Sequence, residues 1–418
     1  STLSSSSAAS DVYKRQMTIT PTFFANNLVI NSSNATTGAL LGGEFFASSS
    51  AGISYLNTAD LHAHAVANSI SISVSGSISV SSDVNISISN RALTLRARGD
   101  IQVGNVNLLT QGELNFFSDS DGNGSGSIVT GASSIINSRG GRIMISGGTD
   151  PNTGYAAGSQ ISQWSGVRLL GQINSEGGDI VIRGRSGGSL TPADVVSPGW
   201  TAGVLVGQTT IDSATGRISI SAQVNSSADT TTNLHHWGVS LGLGSTAGRL
   251  VSSTGDISIR IDPVSNAVDR RHGLALWPGE ILSNQGNINV SVTSSSGVNS
   301  LDWNSSGSSR VETRGTILLE SRSGSTATLR NLTLSSSNQI TVRANRLGFD
   351  SGVSVTGSAS LVLEPVGSAF TTVPTFTNLS LAESISGLRI AKEAESGTIA
   401  IDRSYSISGP MTIFGGYI

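Results

Sequence analysis

Three observations in this 418-residue chain predict an all-β fold, a parallel β-helix (β-solenoid) that is incomplete at both ends. Short apolar alternations follow glycines, the pattern recurs over most of the chain, and hairpin turns of the Asn-Gly or Asp-Gly type are scarce. The stretch GGDIVIRGRSGG at 177–188 shows the unit. Ile180 and Ile182 point to one side of a short strand and Val181 to the other, with Asp179 and Arg183 closing the ends in water. Counted from Gly178, apolar side chains stand two and four residues on. The same offsets follow Gly141 (Ile143, Ile145), Gly216 (Ile218, Ile220), Gly255 (Ile257, Ile259), Gly286 (Ile288, Val290) and Gly315 (Ile317, Leu319).

The unit extends backwards. Five residues before the first five of these glycines stand Ile136, Ile173, Ile211, Leu250 and Ile281; before Gly315 the place falls on Arg310, with Val311 beside it. Further upstream lies a second short strand, GVRL at 166–169, GVLV at 203–206, GVSL at 238–241 and GLAL at 273–276. One unit is therefore strand, turn, strand, turn. If units stack in parallel, each isoleucine meets its equivalent about 4.8 Å away and an apolar ladder fills the interior. Ten anchor glycines at that spacing predict a rod of roughly 50 Å or more. Glycine is expected at these corners because it tolerates positive φ. The spacing of 13 between Gly99 and Gly112, and of 12 between Gly397 and Gly409, reads as two sides of one coil.

Along the chain, residues 1–16 (STLSSSSAASDVYKRQ) read as a non-native leader resembling a translated adapter remnant, without an apolar signal core. Residues 17–67 read as irregular or early coils, and 68–418 as one continuous shaft with loop insertions. The shaft alternates densely at 68–103, carries regular units over 104–260 and longer polar insertions over 261–330. Helical periodicity is found nowhere; 380–395 is read as irregular or strand. At the end of the chain Gly409 again precedes Met411 and Ile413, so the repeat is expected to be cut within its own pattern.

Composition narrows the function classes. A formal net charge of -3 with 12% charged residues and no basic cluster offers nothing to hold a phosphate backbone, so nucleic acid is not an expected partner. No apolar run reaches the length of a membrane span, so no membrane insertion is expected either. The chain has no cysteine, which excludes a disulfide framework.

The runs LNFFSDSDGNGSGSIVTGASSIINSRGGRIMISGG at 114–148 and GLRIAKEAESGTIAIDRSYSISGPMTIFGGYI at 387–418, with the strand-turn units between 164 and 322, resemble the repeat regions of filamentous-haemagglutinin-like bacterial exoproteins. That resemblance implies a right-handed shaft and a secreted or cell-surface place on a Gram-negative bacterium. It also implies export through an outer-membrane pore by two-partner secretion or an autotransporter route, and a role as an adhesin. The partners so implied are glycans or proteins of host or neighbouring cells.

Candidate chemistry is sparse, and no cofactor is expected. Asp119, Asp121 and Asn123 in SDSDGNG stand at the first, third and fifth places of a calcium loop, but Thr130 takes the twelfth, where a bidentate glutamate is required. The competing reading is a polar corner whose side chains satisfy the turn's own amides. Asp60, His62 and His64 would share one face of a strand as metal ligands, or simply an exposed face. Trp164, Trp200, Trp237 and Trp303 recur near the starts of units, with Trp277 inside one; packing against corners is favoured over a sugar-binding ladder. The loops at 184–200, 225–236 and 262–272 are placed outside the shaft as binding loops, with Trp200, His235, His236, Asp269, Arg270, Arg271 and His272 as candidate contacts.

Two functions follow from different classes. The first is an adhesive shaft without chemistry of its own, hence not an enzyme. The alternative is a β-helical carbohydrate-active enzyme, a lyase or hydrolase, in which Asp269, Arg270, Arg271 and His272 would have to converge on a groove with further carboxylates. The first is favoured, because carboxylates do not recur at repeat spacing.

Overall fold

A computed structural model describes residues 27–41, 43–47, 52–187, 200–224, 235–243, 246–263, 273–293, 299–302, 307–322 and 326–416. It is a parallel β-helix. The repeating coil contributes one short strand to each of three sheets, for example Ile128–Thr130 to a nine-strand sheet, Ile135–Asn137 to an eleven-strand sheet and Ile143–Gly147 to a sixteen-strand sheet. The residues five before the anchor glycines thus form a third face of their own, where the sequence suggests two strands per unit. Three-residue strands such as Gln172–Asn174 offer a single inward side chain each, too little alternation to announce a strand.

The predicted stacking holds residue by residue. On the sixteen-strand sheet Ile143, Ile180, Ile218, Ile257, Ile288 and Ile317 lie in one register line, each at most 1% exposed. On the eleven-strand sheet Ile136, Ile173, Ile211, Leu250, Ile281 and Val311 do the same. Val311, not Arg310, takes the inward place. Val167, Val204, Val239 and Leu274 line the nine-strand sheet. One apolar cluster runs from Leu28 to Ile399 through these lines. From Ile70–Val74 to Met411–Ile413 thirteen strands stack on the longest sheet, which at about 4.8 Å per step gives about 58 Å. In the later coils a three-strand sheet, Asn299–Asp302, Thr326–Arg330 and Arg346–Ser351, takes the chain position held earlier by the nine-strand sheet.

The anchor glycines have a different cause from the one expected. Gly141, Gly178, Gly216, Gly255 and Gly286 are not among the positive-φ residues; that conformation falls on a preceding residue, Gly140, Gly177 or even Ala214. What requires glycine is proximity. A Cβ on Gly178 would collide with the carbonyl of Gly141 one coil below, and one on Gly216, Gly255 or Gly286 would meet the preceding glycine in the same way. Beside this column runs a buried row of hydroxyls at the same corner. Ser138, Ser175 and Ser213 donate to the carbonyls of Gly141, Gly178 and Gly216 at 2.5, 2.5 and 2.6 Å. Ser283 and Thr313 donate across the coil boundary to Gly255 and Gly286. Each hydroxyl satisfies a carbonyl that the turn removes from the strand ladders.

The first coils depart from the pattern. Asn27–Asn31 inserts between Ile53–Asn57 and Ile78–Val80, out of chain order, and Gly38–Leu41 with Glu44–Ala47 forms an antiparallel hairpin. Thr58–Ala65 is an α-helix, not the strand read for Asp60, His62 and His64, and it overturns the expectation of no helix. Asn57 caps it by accepting from the Ala59 amide. Leu61 and Ala65 point into the main core, and the helix packs on Ile53–Asn57, Ile70–Val74 and Val84–Ser89, one strand of each sheet. It covers the end of the stacked core. Two turns carrying one buried i, i+4 pair are too short to show a helical period.

Candidate functional site at the insertion corner

The chain turns three corners per coil, and one of them is different. From the sixteen-strand to the nine-strand sheet it passes through residues 119–127, 148–166, 186–199, 225–234 and 264–273 in five successive coils. The other two corners of these coils take between two and six residues. An insertion at a corner leaves the ladders on either side intact, so sequence can vary there at little cost to the stack. Gly184, Gly203 and Gly238 let the chain return close to where it left: a Cβ on Gly184 would collide with the Gly203 carbonyl, and one on Gly238 with Ile261.

Of the segments read as binding loops, 184–200, 225–236 and 262–272, chiefly the edges fall within the described residues. Gly184, Arg185, Asp262, Trp200, His235 and His236 belong to strands, with Trp200 paired to His235 and Thr201 to His236. Residues 188–199, 225–234 and 264–272, including Asp269, Arg270, Arg271 and His272, lie outside the described residues, as does Trp303. Trp237 is fully buried in a second apolar cluster with Ala202, Leu205 and Ala275, against Leu170 and Trp277, so it packs and is no rung of an exposed sugar ladder. Trp164 sits half-buried at a corner with φ +63°.

Most of the side chains that sequence singled out as metal ligands make other contacts. His62 Nδ1 lies 2.7 Å from the Asn85 carbonyl, and Asp60 accepts from the Thr36 hydroxyl. On a helix, residues two apart face different ways, so His62 and His64 do not share a face. Asp121 accepts from the Asn123 amide, Asn123 from the Ser125 amide and Asp119 from the Gly124 amide at 3.0 Å. This is the polar corner that satisfies its own turn. Among the described residues no group of three His, Cys, Asp or Glu side chains is placed to hold a metal ion.

Asp119 does more than close a turn. It is 1% exposed, at φ +48°, and its Oδ2 accepts no hydrogen bond; the Arg185 guanidinium stands 3.6 Å away. Both line a cleft of about 190 Å³ with Gly122, Gly148, Thr149, Asp150, Thr153, Gly154 and Tyr155. Burial raises the Asp119 carboxyl above its ordinary value against the lowering pull of the Gly124 amide and Arg185. Asp150, on the opposite lip, is exposed and held low by the Thr153 hydroxyl and the Asn152 amide. Arg96 donates to the Thr149 carbonyl at 3.2 Å and ties the lip to the outer face of the sheet. Sequence reasoning missed this cleft because its walls come from residues 119, 150 and 185, on three successive coils separated by unequal loops.

Among the described residues no helix is long and apolar enough to cross a membrane. Comparison with protein families, curated proteins and solved structures finds no match for this chain.

Proposed function

We propose that the chain is an adhesive shaft, a segment of a secreted bacterial surface exoprotein that attaches cells through its outer surface. One observation carries this reading: an uninterrupted apolar stack presents its variable connections at a single corner of five successive coils. A rigid rod with loops along one edge offers many weak contacts that gain strength by number. The partners would be glycans or proteins on host or neighbouring cells, and an extended chain of such coils suits passage through an outer-membrane pore before stacking. A second reading, a carbohydrate-active enzyme, is favoured by the oppositely shifted carboxyls of Asp119 and Asp150 in one cleft. Beads coated with the whole chain should promote attachment to cells, while the soluble chain releases no products from acidic or neutral polysaccharides. Turnover that disappears in Asp119→Asn, Asp150→Asn or His272→Ala would replace the shaft with the enzyme.

A further inference from the structure

The Asp119 cleft contains an unusual combination. The buried Asp119 carboxylate forms part of its wall, and the Arg185 guanidinium, 3.6 Å from it and the more exposed of the two, shares that wall. A divalent cation does not suit the place, because it would stand beside the Arg185 charge and needs six or more oxygens. A simple anion would face Asp119 and Asp150. A hydroxyl suits both charges at once: it can accept from Arg185 and donate to the exposed Asp150 carboxylate, leaving the Asp119–Arg185 ion pair intact. A second, adjacent hydroxyl reaches the Thr149, Thr153 and Asp150 side of the cleft. Tyr155 also lines the cleft, and an aromatic side chain there can pack against the C–H face of a ring. At about 190 Å³ the cleft is smaller than the range of about 300–1,000 Å³ that holds drug-sized ligands, so it takes one ring and not a chain.

We propose that the cleft between Asp119, Asp150, Tyr155 and Arg185 binds one sugar ring of a glycan through a pair of neighbouring hydroxyls. It rests on the attachment reading for its biological sense, and it places one contact on the shaft's own wall, on described residues, instead of on the longer loops. The affinity of one ring in an open cleft is expected in the millimolar range, adequate only when many copies are displayed.

The test is saturation-transfer NMR on the whole chain with a panel of neutral methyl glycosides, methyl glycosides of uronic acids, free glycine and calcium chloride. At least one glycoside should receive saturation, and its Kd should rise at least tenfold in Arg185→Ala and in Tyr155→Leu. Arg249→Ala, on the eleven-strand sheet and paired with Glu280, should leave it unchanged. Thermal melts of the variants establish that they are folded, and Arg185→Lys, which keeps the charge but not the fork, should bind with intermediate strength. No transfer to any glycoside, transfer unaffected by both cleft variants, or competition by calcium or glycine would overturn the sugar site. Coated beads that still attach cells when no glycoside binds would remove the cleft and leave the attachment reading standing. Glycoside binding without attachment would do the reverse.

Discussion

At the scale of single residues, the corner between the eleven-strand and sixteen-strand sheets is held by a column of glycines and a column of buried hydroxyls. The serines stand three residues before their glycines, with Thr313 two before Gly315, but only the glycines draw attention, since serine is common throughout this chain. The reason for glycine was not visible. A corner glycine in a sequence suggests a left-handed turn, whereas Gly178 does not adopt one and the stacked carbonyls leave no volume for its Cβ. Gly178→Ala should therefore cost about 1–3 kcal/mol, the usual penalty for forcing a methyl into a packed site. Gly348→Ala, on Arg346–Ser351, meets nothing nearer than the Thr375 hydroxyl at 3.8 Å and should stay within about 0.5 kcal/mol of wild type. Urea unfolding of the two variants measures both. Equal losses would mean that close approach is not what the column requires.

At the scale of the strand, inward and outward residues obey a single rule. Ile180 is fully buried between Ile143 and Ile218, while Val181 on the same strand is half-exposed beside Met144 and Ser219. Ile180→Asp puts an unpaired charge in the apolar ladder and should cost about 4 kcal/mol or more, whereas Val181→Asp should be mild. Chemical denaturation that shows equal tolerance would reverse the inside and outside of the coil. These strands were readable because a side-chain period of two repeats coil after coil at fixed offsets. What escaped reading was whatever the period does not govern: the eight-residue helix Thr58–Ala65, the out-of-order strand Asn27–Asn31, and the cleft that Asp119, Tyr155 and Arg185 form from separate coils. Charges on the outer face follow the ladders too. Glu364 is 3% exposed and pairs with Arg343 at 2.5 Å and Arg389 at 2.7 Å, while Arg343 also lies 3.9 Å from Glu320. A buried carboxylate needs these cations, and removing one would cost more than any exposed pair is worth.

At the scale of the whole molecule, each coil touches chiefly the coils above and below, so stability should be a sum of coil and interface contributions with no single central core. The register makes this testable. Ile257 pairs with Ile288, and Ile288 with Ile317, while the eleven-strand sheet runs from Gly279–Ser283 through Ser309–Thr313 to Leu332–Ser336. Removing residues 288–316 deletes one coil and joins Asn287 to Ile317, which brings Ile317 onto Ile257 with every inward residue still inward. Leu319 then falls on Ile259, Leu332–Ser336 onto Gly279–Ser283, and the buried hydroxyl of Ser336 onto the line of Ser283. The shortened chain should fold, with an unchanged β-type circular dichroism spectrum per residue and a lower Tm. Removing residues 288–297 instead takes away a strand of the longest sheet without completing a turn, so the next strands meet the wrong faces. That variant should lose cooperative unfolding altogether. If the two deletions behave alike, the coils are not interchangeable units, and the stack depends on a cooperative core that spans all of them.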